Sequence, residues 1–287
     1  MHFLKKSEQI APFVLQKKSV AAAPMMISSP HSGTFYPDRL FQISSLTRRD
    51  FQKVEDAAVD SLFSFAPSLG IPLLSGTYGR IWVDLNRSPW ELDQTMFSDS
   101  LPEKTQKDSV RVLAGLGVIP KIVMPGCPVY KEKLRFAVEK QRLKDVYYPY
   151  HLCLKEQIKK NIDRFGKNLL IDAHSMPELP AGKQLQGKTP DFILGDVNGA
   201  SCAPEITHFA AQTLSEMGYF VTVNHIYCGA HTTRFYGRPQ ENSHVLQVEI
   251  ARHLYWDAEN YRKTPYFDTL WRHLSVFTEK MRKMMQS

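Results

Sequence analysis

The 287-residue sequence has little cysteine: Cys127, Cys153, Cys202 and Cys228 stand far apart, with no Cys-x-x-Cys pair among them. Such spacing excludes a disulfide framework and reads as four reduced thiols. No run of about 20 apolar residues occurs, so nothing in the chain reads as a membrane-spanning helix. Residues 1–18 lack the apolar stretch and small-residue cleavage site of a signal peptide. Lys5, Lys6, Lys17 and Lys18 make that segment basic without amounting to a targeting sequence, and the expected location is the cytoplasm. The net charge is +7, a field that attracts anions. The basic residues are nevertheless dispersed, with no Lys/Arg block interleaved with aromatics, so neither nucleic acid nor membrane is an expected partner. Internal repeats, low-complexity tracts and an HExxH zinc motif are all missing.

What is present is an ordinary globular composition, 43% hydrophobic and 23% charged, in a chain long enough to bury roughly three quarters of its unfolded surface. Apolar strand-like runs alternate with amphipathic helical stretches, which predicts an α/β architecture. One domain is expected over residues 1–287. Strands are predicted at 24–29, 71–74, 78–85, 168–173, 191–195, 220–224 and 244–250. Helices are predicted at 47–65, 129–141, 151–165, 204–217 and 269–285. Residues 147–150 should be an aromatic link between two helices, and 177–190, with three prolines and two glycines, a loop.

Several polar residues fall where these strands end, the place where open α/β sheets put ligands. His31 follows the first strand, His174 follows Leu169–Ala173, Arg87 follows Val83–Asn86, and Glu249 lies within the run 245–250. Taken singly, each has an ordinary reading: a turn histidine, a turn arginine, a strand glutamate facing solvent. Together they point to chemistry. Two imidazoles and a carboxylate with an open position for water are the composition of a catalytic zinc site. Asp172, two residues before His174, is placed to orient that ring.

The sequence resembles the N-formylglutamate amidohydrolases. The likeness is carried by Pro30-His31-Ser32-Gly33 with Tyr36-Pro37, Val83-Asp84-Leu85-Asn86-Arg87 and Asp172-Ala173-His174-Ser175-Met176. It continues in Pro190-Asp191-Phe192 with Leu194-Gly195, in Gly229 to Gly237, and in Gln247-Val248-Glu249-Ile250. These motifs keep the family's order over about residues 25–257. The family is distantly similar to the zinc carboxypeptidases and aspartoacylases, and the latter share the Asp-Leu-Asn-Arg string with an arginine before it, matched here by Arg80. The resemblance therefore implies a phosphorylase/hydrolase-like, zinc carboxypeptidase-like fold: a single-domain, three-layer mixed sheet flanked by helices.

The resemblance also implies one Zn2+ per chain, other divalent ions being tolerated by such a ligand set, with His31 and His174 as imidazole ligands. Carboxypeptidase-like enzymes carry a glutamate three residues after the first histidine, where this chain has Thr34. Another carboxylate must then serve, and because the amidohydrolase pattern also carries an acidic residue at Val54-Glu55-Asp56-Ala57, the resemblance implies Asp56 as the third ligand, with Glu55 the adjacent alternative. Glu249 is expected as general base, moving a proton from the attacking water to the leaving amine. Arg80 is expected to stabilise the oxyanion. Arg87 and Arg234 suit the carboxylates of the substrate, with Asn86 adding a hydrogen bond and His231 carried to the pocket on the glycine-bounded loop 229–237; for His231 and His151 the alternatives are ordering a loop or backing the residues that hold the metal. The implied reaction is hydrolysis of a small N-acyl acidic amino acid, nominally N-formyl-L-glutamate to glutamate and formate. Two alternatives are a zinc hydrolase of another N-acyl amino acid or peptide end, and a non-catalytic anion-binding protein.

Overall fold

A computed structural model of the chain describes residues 10–18 and 21–287; Lys5 and Lys6 of the basic N-terminal segment lie outside them. The chain groups into two compact units whose segments interleave. One comprises residues 10–14, 31–55 and 76–152, the other 15–30, 56–75 and 153–287.

A seven-stranded sheet, nearly all of it in the second unit, is built from β1 (Phe13–Gln16), β2 (Met25–Ser29), β3 (Leu73–Gly76), β6 (Asn168–Met176), β7 (Phe192–Gly195), β8 (Val221–Val223) and β9 (Ser243–Ala251), in the order β1-β3-β2-β6-β9-β7-β8. Strands β3, β2, β6 and β9 run parallel, while β7 is antiparallel to β9 and parallel to β8, so the sheet is mixed. Alternation along the strands sorts two kinds of side chain onto opposite faces. Leu169, Ile171 and Ala173 of β6 join Leu246, Val248 and Ile250 of β9 and Met25 and Ile27 of β2 in the main core.

Helices α3 (Val59–Leu62), α7 (Pro204–Glu216) and α9 (Phe267–Gln286) add buried apolar side chains to that core. In α9, Phe267, Leu270, Leu274, Phe277, Met281 and Met285 are buried at spacings of three and four, the stripe of an amphipathic helix. The other face of β6 and β9 carries Asp172, His174, Gln247 and Glu249, every one of them buried. The ordinary alternative for Glu249, a strand glutamate facing solvent, is thereby set aside.

The first unit holds little regular structure. It contains α1 (Asp38–Ile43), α2 (Arg48–Gln52), α4 (Val110–Leu113), α5 (Phe136–Arg142), the small hairpin of β4 (Ile122–Met124) and β5 (Cys127–Pro128), and the start of α6 (Tyr148–Phe165). Tyr36, Phe41 and Phe51 pack with ring centroids 5.3–6.4 Å apart. Arg142 is buried, paired with Glu139 at 2.6 Å and laid 3.7 Å over the Trp82 ring. A charge in such a place is tolerable because the carboxylate and the π face replace its water.

Several predicted elements are corrected. The helix expected at 47–65 is α2 and α3 with a break between them. Thr47 caps α2 in a reciprocal capping box with Asp50, and the chain re-enters helix after Ala58 at φ 57°. The break frees Glu55 and Asp56 from helical periodicity, and both are buried. Residues 78–85 do not form a strand but turns, in which backbone partners serve the Gly79, Trp82 and Asp84 N–H groups and side chains serve the Trp82 and Leu85 carbonyls. The helix predicted from 129 starts at Phe136, and the aromatic link is helical: a π turn (Leu143–Tyr147) leads directly into α6. Strand β6 runs on to Met176, so His174 lies inside it rather than after it. The glycine-bounded loop 229–237 contains a short helix, α8 (His231–Tyr236).

Candidate metal centre

Strand register builds the site. Parallel pairing sets Ser28, Asp172 and Gln247 on one rung and His174 and Glu249 on the next rung of the same face. Within that face the polar groups bond to one another, which burial favours. The Ser28 hydroxyl donates to Asp172 at 2.7 Å, and Asp172 Oδ2 lies 3.0 Å from His174 Nε2. The Gln247 amide donates to Glu249 at 2.8 Å. Asp56, arriving from the break before α3, sits 2.9 Å from His174 Nδ1 and accepts from the Ser175 hydroxyl at 3.2 Å. Arg252 reaches within 3.6 Å of the same carboxylate.

Burial works against charge on His174, but the Coulombic pull of Asp172, hydrogen bonds to Asp172 and Asp56, and the nearby Glu249 outweigh it. The imidazole therefore holds a proton well above the ordinary histidine range. Three carboxylates thus surround one imidazole and one guanidinium, an excess of negative charge that a cation relieves.

His31 follows the end of β2 and is held from an irregular segment. Its Nε2 meets Asp84 Oδ1 at 2.7 Å. Asp84 in turn accepts from Arg80 at 2.7 Å and from the backbone N–H of Asn86 at 2.9 Å. Burial would raise the Asp84 pKa, yet Arg80, His31 and Arg87 together hold it well below the usual carboxylate range.

Each histidine is therefore backed on Nε2 by its own aspartate, the arrangement that fixes tautomer and ring orientation in metal-ligating histidines. His31, Asp56 and His174 each offer a ligand atom, and these atoms lie within 4.8 Å of one another. Two imidazoles and a carboxylate, all buried, suit a divalent ion of intermediate softness such as zinc. Glu55, the alternative third ligand, instead accepts the Tyr36 hydroxyl.

The remaining sequence-predicted residues fall in different places. Arg80 is about a quarter exposed (24%) and engaged with Asp84. Arg87 is buried; its Nε donates to the Leu116 carbonyl at 3.0 Å and its Nη1 to the Asn86 carbonyl at 2.8 Å. His231 and Arg234 both lie on α8, where His231 stacks on Phe235 at 5.2 Å and Arg234 is exposed. His151 donates from Nε2 to the Leu85 carbonyl at 2.9 Å. Sequence reasoning gave no role to Asp84, Ser28 or Arg252. Asp84 stood in plain view in the Asp-Leu-Asn-Arg string, but nothing local ties it to a histidine 53 residues earlier.

The family model for N-formylglutamate amidohydrolase matches residues 23–256. N-formylglutamate deformylase of Pseudomonas putida is 31% identical over 241 residues, covering 82% of each chain. Its counterpart in Pseudomonas aeruginosa is 32% identical over 248 residues, covering 82% of this chain and 83% of that one. A crystal structure of N-formylglutamate amidohydrolase from Ralstonia eutropha superposes with a TM-score of 0.91 at 32% identity, covering 96% of this chain and 99% of that one. With most of its length matched in sequence and fold, and with a buried His–Asp–His cluster able to coordinate a divalent ion, this chain is a metal-dependent amide hydrolase and belongs to the N-formylglutamate amidohydrolase family.

Proposed function

We propose that the chain hydrolyses the formamide bond of N-formyl-L-glutamate, giving L-glutamate and formate, with Zn2+ held by His31, Asp56 and His174. The observation that carries this reading is the buried two-imidazole, one-carboxylate cluster in a chain of this family. An ion there supplies Lewis acidity, polarising the acyl oxygen and acidifying a water molecule.

The chain's own residues do the rest. Glu249, fixed by the Gln247 amide on the rung it shares with His174, accepts a proton as water oxygen bonds to the formyl carbon. It returns that proton to the nitrogen as the C–N bond breaks. Arg80, anchored through one nitrogen by Asp84, stabilises the oxyanion that forms meanwhile.

Arg80 and Arg87 both lie beside the Asp84 carboxylate, and guanidinium groups suit an acidic substrate. With Nε and Nη1 of Arg87 given to backbone carbonyls, Nη2 is the nitrogen assigned to a substrate carboxylate. Asn86, His231 and Arg234 complete the binding set. We further propose that residues 1–287 act as one family domain of the zinc carboxypeptidase-like kind. The four free cysteines support a reducing, cytoplasmic setting.

Metal analysis together with formate release from a panel of N-formyl and N-acetyl amino acids tests the reading. About one zinc per chain and a preference for N-formyl-L-glutamate are expected. Turnover of another acyl amino acid in preference would reassign the substrate, and a metal-free chain that only binds acidic ligands would end the enzymatic reading.

A further inference from the structure

The π turn before α6 has a use that the proposed chemistry leaves unexplained. Three buried side chains on this stretch reach the same irregular segment. Arg142 donates to the Trp82 carbonyl at 3.1 Å, Tyr147 to the Arg87 carbonyl at 2.7 Å, and His151 to the Leu85 carbonyl at 2.9 Å. The rings of Tyr147 and His151 also pack together, 4.2 Å between centroids.

The spacing of these donors is five and then four. On an unbroken α-helix, residues five apart point about 140° away from each other, so Arg142 and Tyr147 could not serve one partner. Between them the Tyr148 N–H bonds to the Leu143 carbonyl, five residues back, in a π turn. That extra residue brings position 147 under position 142, and the ordinary α spacing then adds 151. Turns of this type recur at functional sites.

We infer that the π turn exists to align Arg142, Tyr147 and His151 as a clamp on residues 82–87, and that Tyr147 is a positioning residue for Arg87. The segment needs such a clamp because it has no strand ladder, and its carbonyls would otherwise be buried without donors. Asp84, Asn86 and Arg87 ride on it, and Tyr147 grips the peptide of Arg87 itself. The inference rests on the substrate-binding role proposed for Arg87.

The test is Tyr147→Phe, alone and combined with Arg87→Ala, with metal content measured in each variant. Loss of the hydroxyl should raise KM for N-formyl-L-glutamate about tenfold, the worth of one buried hydrogen bond, with kcat and zinc content within about twofold of wild type. In the Arg87→Ala background the same change should add nothing to KM. Additive effects, an unchanged KM, or a parallel loss of zinc and kcat would overturn the assignment. Wild-type turnover is read first, so an inactive parent chain identifies failure of the functional reading itself. Hydrogen exchange at the amides of residues 85–88 then decides the clamp independently of activity: faster exchange in Tyr147→Phe supports it, and unchanged protection refutes it.

Discussion

The two histidines of the cluster are held by opposite kinds of structure. His174 sits inside β6, with β2 and β9 paired alongside that strand, and its aspartate is two residues away on the same face. His31 stands past the end of a strand, and its aspartate comes from a segment of turns that side chains hold in place. One imidazole is oriented by backbone register, the other by a network of side-chain donors. Backbone pairing is cooperative and hard to alter by single substitution, whereas a side-chain network can be dismantled one group at a time.

The comparison can be broken most severely at the ligands. His31→Ala and His174→Ala should each abolish zinc uptake and lower kcat/KM by at least about 10³-fold, a scale typical of losing a catalytic group; metal analysis and formate release check both. If either variant keeps its zinc, the two imidazoles do not share an ion. Next in size, Leu274→Ala in the fully buried stripe of α9 should cost about 2–5 kcal/mol in denaturant unfolding, with metal affinity unchanged. A loss of metal affinity without loss of stability would show that the sheet does not act as a rigid frame.

The smallest effects sharpen the comparison best. Asp172→Asn and Asp84→Asn should each weaken zinc binding about 10–100-fold, measured by competition with a chelator, but they should act on opposite limbs of the pH–stability curve. In the metal-free protein the raised pKa of His174 gives stability that is complete below the ordinary histidine value of about 6.5 and is lost as pH rises through the folded value. Asp84 has a depressed pKa, so its contribution is present above the ordinary aspartate value of about 3.9 and is lost as pH falls through the folded one. Thermal melts should therefore lose slope on the alkaline side in Asp172→Asn and on the acid side in Asp84→Asn. Zinc binding to the wild type should tighten with pH, because the ion displaces the His174 proton.

Much of this was legible in the sequence, and the exceptions follow the same division. Strands β2, β6, β7 and β9 and helices α7 and α9 carry uninterrupted apolar patterns and fall within a few residues of expectation. His31, Asp56 and His174 were each identified from a motif and do converge. What failed was local pattern without regular backbone. Ile81, Val83 and Leu85 alternate as a strand would, yet they are buried in turns, where isolated backbone bonds and side chains from distant helices take the place of a strand ladder. The period of residues 47–65 was helical, but it could not reveal that the chain opens at Glu55 and Asp56 to deliver two acids inward. Asp84 and Arg252 act through tertiary contacts that leave no periodic trace.

The placement of His174 and Glu249 on one rung of β6 and β9, in the middle of a seven-stranded order, bears on how this enzyme would fail on heating. Strands at the centre of a sheet come apart only when the whole unit melts, while turn-built segments yield earlier. Activity should therefore fade at temperatures where circular dichroism still reports an intact sheet, because the support of His31 lets go before that of His174.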